Sequence, residues 1–334
     1  MKFDVIIGNP PYQMDDGGYA ASAIPLYHKF VEKALEMKPR YVSMIIPSRW
    51  MKGGRGLANF RNKLMADKRI SHIYDYQNPA DCFDSVRISG GVCYFLWDES
   101  HDNELEYHYT DLKGHYSVSQ RYLKTDFYDK VIRDIRQLPI ISKVLSKTDN
   151  RFSEIVAKGG SFGFGTFLFN QPERYPEVSF SDSPKEGYSL VYGVSGVGGS
   201  TRTAKYVNDS SITNNKASVS KYKLFFPTTY DEIATIPPKI IKGLPGTLST
   251  STFIKIGDFN TEEEMNNCLS YIKTKFFRAL LLYNRHSISI SKPSFDLIPL
   301  QDFSKPWTDE ELYKKYKLTQ EEIDYIEDNI EPMN

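Results

Sequence analysis

The chain has 334 residues, 42 basic against 42 acidic side chains and therefore no formal net charge, and 14% aromatic residues. That length suffices for two domains and a substantial core, and its global charge gives no sign of a polyanionic partner. The three cysteines, Cys82, Cys93 and Cys268, form no CxxC pair and no His cluster, which argues against a disulfide framework or a zinc site and for a reducing, cytoplasmic setting. No apolar run approaches the roughly 20 residues of a membrane span, and the first residues lack a secretory signal pattern.

In chain order, residues 3–7 (FDVII) read as a short strand without polar alternation, the pattern of a strand buried on both faces of a parallel sheet. A Gly-rich loop follows, then a helix over 24–36 with Ile24, Tyr27, Val31, Ala34 and Leu35 on one face. YVSMIIP (Tyr41–Pro47) is a second apolar strand, and a helix carrying Leu57, Phe60 and Leu64 comes next. Strand-like runs recur near 69–76, 91–98 and 105–109. This alternation predicts an open α/β sheet with helices on both faces. From Lys38 to His72 the basic residues include Arg49, Lys52, Arg55, Arg61 and Lys63 against the single acid Asp67, a one-sided pattern suited to a polyanion or to a plain solvated face.

Near residue 149 the texture changes. Gly, Ser, Thr and Asn become frequent, as in GGSFGFG (159–165) and YGVSGVGGSTRT (192–203), and short β-type runs alternate with turn signals. A β-rich second domain is expected there. A helix capped at Thr261 with Glu264 is predicted to run to about Tyr283, and TDEE (308–311) and TQEE (319–322) mark a helical tail.

The stretch NPPY, Asn9-Pro10-Pro11-Tyr12, stands directly after the first strand, where α/β sheets place their chemistry. Two prolines make a stiff loop and remove backbone donors. The Asn9 side-chain oxygen and the Pro10 carbonyl then become two acceptors at a fixed separation, a match for an exocyclic amino group. Accepting both hydrogen bonds draws the amine lone pair out of conjugation and makes it nucleophilic. Tyr12 offers a flat face for a base, which in duplex DNA must first be turned out of the helix. An inert turn at the end of a core strand is the plainer alternative.

NPPY after FDVIIG resembles the catalytic motif of adenine-N6 DNA methyltransferases, specifically the γ-type enzymes of bacterial restriction–modification systems. YVSMIIPSRWM with the basic helix FRNKLM is similar to the next strand and helix of that family. DCFDSVRISGGVCYFLW is similar to its later motif, in which Phe83 would stack on the flipped base opposite Tyr12; Phe83 as ordinary core is the alternative. SFGFGTF, FFRALLLY and the segment from SFDLIPLQDF to EEIDYI resemble the target-recognition region and tail of a subfamily that includes combined restriction–modification polypeptides.

The resemblance implies a partial Rossmann-like methyltransferase sheet, then a β-rich target-recognition domain and a helical C-terminal tail. The expected boundaries are 1–118 for the carboxyl half of the catalytic domain, 119–148 for a helical linker, 149–300 for DNA target recognition and 301–334 for the tail. It also implies S-adenosylmethionine as cofactor and double-stranded DNA as partner. In γ-type enzymes the Gly-rich donor turn lies upstream of the NPPY strand. FGFG (162–165) and GVSGVGG (193–199) do not follow an apolar strand and open a helix, as such motifs require, so the donor site is expected mostly outside this chain. The 3–7 strand, central in the parent sheet, should then show an apolar edge that a chain carrying the donor half, a second copy, or a rearranged segment of this chain would cover. Expected DNA contacts are Arg49, Lys52 and Arg55 in the first domain, and Ser200, Thr201, Arg202, Arg285 (with His286) and Lys292 in the second. A catalytically silent DNA-binding or specificity module, or a truncated remnant, is the competing reading, and no nuclease constellation is evident.

Overall fold

The computed structural model describes residues 3–14, 24–54, 56–84, 88–285 and 287–333. It is mixed α/β and divides into two compact units, Met1–Ser142 and Lys143–Asn334.

The first unit is built on β1 (Val5–Gly8), α1 (Tyr27–Glu36), β2 (Tyr41–Pro47), α2 (Ala58–Ala66), β3 (Ile70–Tyr76), β4 (Val92–Asp98), β5 (Leu105–Thr110) and β6 (Tyr116–Arg121). The six strands form one sheet in the order β1-β2-β4-β3-β5-β6. β1 runs parallel to β2 and β3 parallel to β5, while β4 lies antiparallel between β2 and β3. Along β2 the alternation buries Val42, Met44 and Ile46, the period-2 signature of a strand with one covered face. Against them pack Tyr27, Val31 and Ala34 of α1, spaced i, i+4, i+7, and Phe60 and Leu64 of α2. Trp50 and Phe60 meet edge-on with centroids 5.8 Å apart.

Two expectations need correction here. The helices α1 and α2 share one core cluster on one face of the sheet. The opposite face carries half-buried Tyr74 and Tyr94, stacked at 4.7 Å, and Tyr74 stacks on His108 at 3.9 Å. β1, whose composition reads as a strand buried on both faces, is instead an edge strand among the described residues, as the resemblance implied, and Val5 and Ile7 stand 50% and 77% exposed.

The expected helical linker over 119–148 is also corrected. Its start belongs to β6, and helix appears only as α3 (Gln137–Lys147). The irregular stretch between them is nevertheless core, since Val131, Ile132, Arg133 and Asp134 are all buried.

The second unit contains β7 (Phe180–Ser181), β8 (Tyr188–Ser195), β9 (Thr201–Asn208), β10 (Tyr222–Pro227), β11 (Ile241–Gly243), β12 (Thr247–Ser249) and β13 (Phe253–Phe259), followed by α4 (Glu262–Lys273), α5 (Lys275–Asn284), α6 (Asp309–Tyr316) and α7 (Gln320–Asn329). Its strands form a four-stranded sheet, β12-β8-β9-β7, and a three-stranded sheet, β11-β10-β13. Phe162, Phe164, Val191, Phe225 and Phe253 share its core. The predicted single helix from 261 to 283 is two helices. Thr274 takes extended backbone angles and caps α5, its hydroxyl oxygen accepting from the Phe277 N–H at 3.1 Å. Thr308 with Glu311 and Thr319 with Glu322 form reciprocal capping boxes, as their spacing predicts. Thr261 caps α4, but Glu264 reaches back to the N–H of Asn260.

Candidate active site

β1 ends at Gly8 and delivers Asn9-Pro10-Pro11-Tyr12 to the carboxyl end of the strand. Pro10 is buried and fixes the loop, whereas Asn9 and Pro11 are exposed. The segment is pinned on its far side by residues just before α1. The Leu26 N–H donates to the Tyr12 carbonyl at 3.1 Å, and the Met14 N–H to that of Ile24 at 3.0 Å. All four NPPY residues line a cleft with a cavity volume of about 740 Å³, which they share with Arg49 and Phe83.

Phe83 arrives from a short 3-10 turn, Pro79–Asp81, capped by the Asn78 side chain, which accepts from the Ala80 N–H at 3.2 Å. The Phe83 N–H then donates to the Pro79 carbonyl at 3.0 Å and holds the ring in the cleft wall. Burial, then the neighbouring Cys93 and Cys82, push the Tyr12 phenol up to about 12. Tyr12 thus stays neutral near pH 7 and presents a ring rather than a base. Its hydroxyl is buried without a hydrogen-bond partner among the described residues. Arg49, on the 3-10 turn Ser48–Met51 that follows β2, is exposed on the cleft and supplies its charge.

Behind the cleft lies a network that the sequence did not reveal. Asp75 accepts from the Ser48 hydroxyl at 2.6 Å and the Tyr107 hydroxyl at 2.6 Å. It also receives Arg133 Nε at 2.6 Å and Nη2 at 2.7 Å, a bidentate pair. Arg133 Nη1 donates to the Gly90 carbonyl at 2.7 Å. Ser48 and Gly90 are chain neighbours of Arg49 and Ser89, so this one buried ion pair fixes two walls of the cleft. Gly91 makes the approach possible. Its φ is +85°, and a Cβ there would stand 2.2 Å from the Tyr76 carbonyl oxygen.

The expected DNA contacts divide. Arg49 faces the cleft. Lys52 is partly buried and does not line it among the described residues; burial, then the charge of Arg133, bring its ammonium down to about 7. Arg55 and His286 lie outside the described residues. In the basic helix, Arg61 is buried and Lys63 is paired with Glu32 at 2.7 Å. In the second unit Ser200, Thr201 and Arg202 are exposed at the start of β9, and Lys292 is half-buried at the start of a 3-10 turn. Arg285 is a correction. It is buried, its guanidinium donates to the carbonyls of Tyr230 at 3.0 Å and Asp231 at 2.8 Å, and it stacks on the Tyr230 ring. It ties a loop to the end of α5 and has no face for a base edge.

Neither glycine-rich turn fits a methyl-donor nucleotide. FGFG buries Phe162 and Phe164 in the core of the second unit, and GVSGVGG closes the β8–β9 hairpin instead of opening a helix. The described residues form no group suited to a metal ion. Among the described residues, no helix is long and apolar enough to cross a membrane.

Residues 1–83 match the Eco57I restriction-modification methylase family. A protein of Mycoplasma pneumoniae (strain ATCC 29342 / M129 / Subtype 1), described as an uncharacterized adenine-specific methylase, is 43% identical over 109 residues, which cover 31% of this chain and 25% of that protein. Among solved structures, the type IIL restriction-modification enzyme MmeI in complex with DNA shares 11% identity over 99% of this chain and 55% of its own, with a TM-score of 0.47. The type IIG restriction endonuclease BpuSI shares 11% over 98% of this chain and 54% of its own, with a TM-score of 0.38. The chain thus spans a quarter of the curated relative and about half of each of these two enzymes. Its NPPY-bearing segment is similar to adenine-specific methylases of restriction–modification systems.

Proposed function

We propose that this chain carries the target-base half of a site-specific DNA adenine-N6 methyltransferase of a restriction–modification system. The observation that supports it most is the convergence of Asn9, Pro10, Tyr12 and Phe83 on one cleft at the carboxyl end of β1. An adenine turned out of the duplex would lie between the Tyr12 and Phe83 rings, each stacking contact contributing about 1–3 kcal/mol. Its amino group would donate one hydrogen bond to Asn9 Oδ1 and one to the Pro10 carbonyl. Both bonds strengthen as the nitrogen becomes tetrahedral, so they favour the transition state over the ground state. Arg49 would hold the flanking phosphate. The extra proton on the methylated nitrogen leaves to water, since neutral Tyr12 is no acceptor for it.

S-adenosylmethionine would supply the methyl group. The described residues do not fit its site, so the reading includes a donor half carried by a partner chain or by an upstream segment. The exposed Val5 and Ile7 of β1 offer that component, or a second copy of this chain, a strand edge to pair with. Residues 149–300 would read the DNA sequence, with Ser200 and Thr201 as readers and Arg202 beside them reaching either a base edge or a phosphate. The competing reading, a silent DNA-binding or specificity module, is favoured by the misfit of both glycine-rich turns. Transfer of labelled methyl groups to unmethylated DNA, with and without the donor-bearing component, separates the two. Incorporation that needs both components supports the enzyme; DNA binding without incorporation under either condition supports the module.

A further inference from the structure

The second unit contains a groove of about 810 Å³ bordered by β9, the segment around Lys239–Lys242 and the end of α4. Four of its lining residues are cations, Arg202, Lys239, Lys242 and Lys273, and none is acidic. In a chain whose charges sum to zero, such a concentration sets up a local positive potential. Arg202, Lys239 and Lys242 are exposed and Lys273 is half-exposed. Among the described residues no carboxylate lies within salt-bridge distance of any of the four, whereas Lys205 of the same strand β9 has Asp182 at 3.4 Å. Arg202 is fixed on the rim by one bond, Nη1 donating to the Lys239 carbonyl at 2.9 Å, and its remaining N–H groups are left for a ligand. The floor, Ile240 and Ile241 beside Tyr192, is largely apolar and offers no competing acceptor charge.

We infer that this groove holds a phosphodiester backbone, with Arg202, Lys239, Lys242 and Lys273 as phosphate contacts rather than base readers. The inference rests on the reading that the chain binds DNA, and it assigns Arg202 to the backbone rather than to a base edge. Lysine ammoniums act as point charges toward phosphate, and three of the four cations are lysines. Sequence would then be read by neighbouring side chains such as Ser200 and Thr201.

The test measures binding of the full chain to a fluorescent duplex by anisotropy across a salt series. Each phosphate contact contributes about 0.9 to the slope of log affinity against log salt. The triple variant K239Q/K242Q/K273Q should lower that slope by about 2 to 3, and K239R/K242R/K273R should keep it. Inorganic phosphate should displace DNA no better than chloride at equal ionic strength. An unchanged slope in the glutamine variant, with wild-type binding intact, overturns the groove and leaves DNA binding standing. Displacement by phosphate well beyond the ionic-strength effect would mark a small-anion pocket and also overturn it. Failure of the wild-type chain to bind duplex would remove both.

Discussion

The Asp75–Arg133 pair should dominate the stability of the first unit. Both side chains are buried, at 0% and 8% exposure, so replacing Arg133 with Met leaves a carboxylate without its counter-charge. Breaking a buried pair in this way costs about 3–5 kcal/mol. Asp75 keeps the Ser48 and Tyr107 hydroxyls, which places the loss toward the lower end. The hydrogen bond from Arg133 to the Gly90 carbonyl goes as well, adding about 1 kcal/mol. The sum is about 4 kcal/mol, which for a unit of this size lowers the melting temperature by about 8–16 °C. Urea titration followed by tryptophan emission in a Trp307→Phe background would report this unit through Trp50 and Trp97. Because one interaction is lost twice, the double variant D75N/R133M should cost less than the sum of the single changes by at least about 1 kcal/mol. A loss under about 1 kcal/mol for R133M, or strict additivity in the double variant, would refute the network as the support of the cleft.

Gly91→Ala should destabilise the first unit by more than about 1 kcal/mol, measured by the same titration, because the residue needs both a positive φ and the close approach to the Tyr76 carbonyl. Lys52→Met should stabilise it, most strongly below pH 7. The folded ammonium titrates near 7 and the unfolded one near about 10.4, so wild-type stability rises with pH across that window while the variant's does not. The margin between them should therefore shrink toward pH 10, and a margin that grows with pH would reverse the argument. Tyr12→Phe should leave folding and methyl transfer nearly unchanged, since the hydroxyl has no partner among the described residues, whereas Tyr12→Ala should weaken engagement of the flipped base by about 1–3 kcal/mol, read from the affinity for a duplex with a mismatched target adenine.

Features set by neighbouring residues were legible before the fold was known. The strand and turn that present NPPY, the i, i+4, i+7 face of α1 and the threonine caps at Thr308 and Thr319 all follow from local spacing. Features set by distant chain segments were not. Asp75 and Arg133 are separated by 58 positions, and nothing near either marks it as a partner of the other. Arg285 looked like a surface contact because an arginine's sequence context does not reveal three carbonyls waiting for it. Thr274 broke a predicted helix because its hydroxyl competes for the next turn's N–H groups, and a run as apolar as KFFRALLLY hides that stop. The composition of β1 reads as doubly buried and its apolar edge was legible only through the resemblance, since composition alone does not separate a covered strand from an exposed apolar edge.

In the proposed reaction Asn9 and the Pro10 carbonyl bind the reacting amine. The most direct measurement compares wild type and Asn9→Ala in a complete system, with the donor-bearing component, S-adenosylmethionine and unmethylated DNA. Asn9 is exposed and its side chain makes no bond to the described residues, so folding should be unaffected. Methyl transfer should fall by at least about 100-fold, a loss of roughly 2.7 kcal/mol of transition-state stabilisation, while DNA affinity stays within about twofold. Transfer at the wild-type rate in Asn9→Ala would contradict the assignment outright.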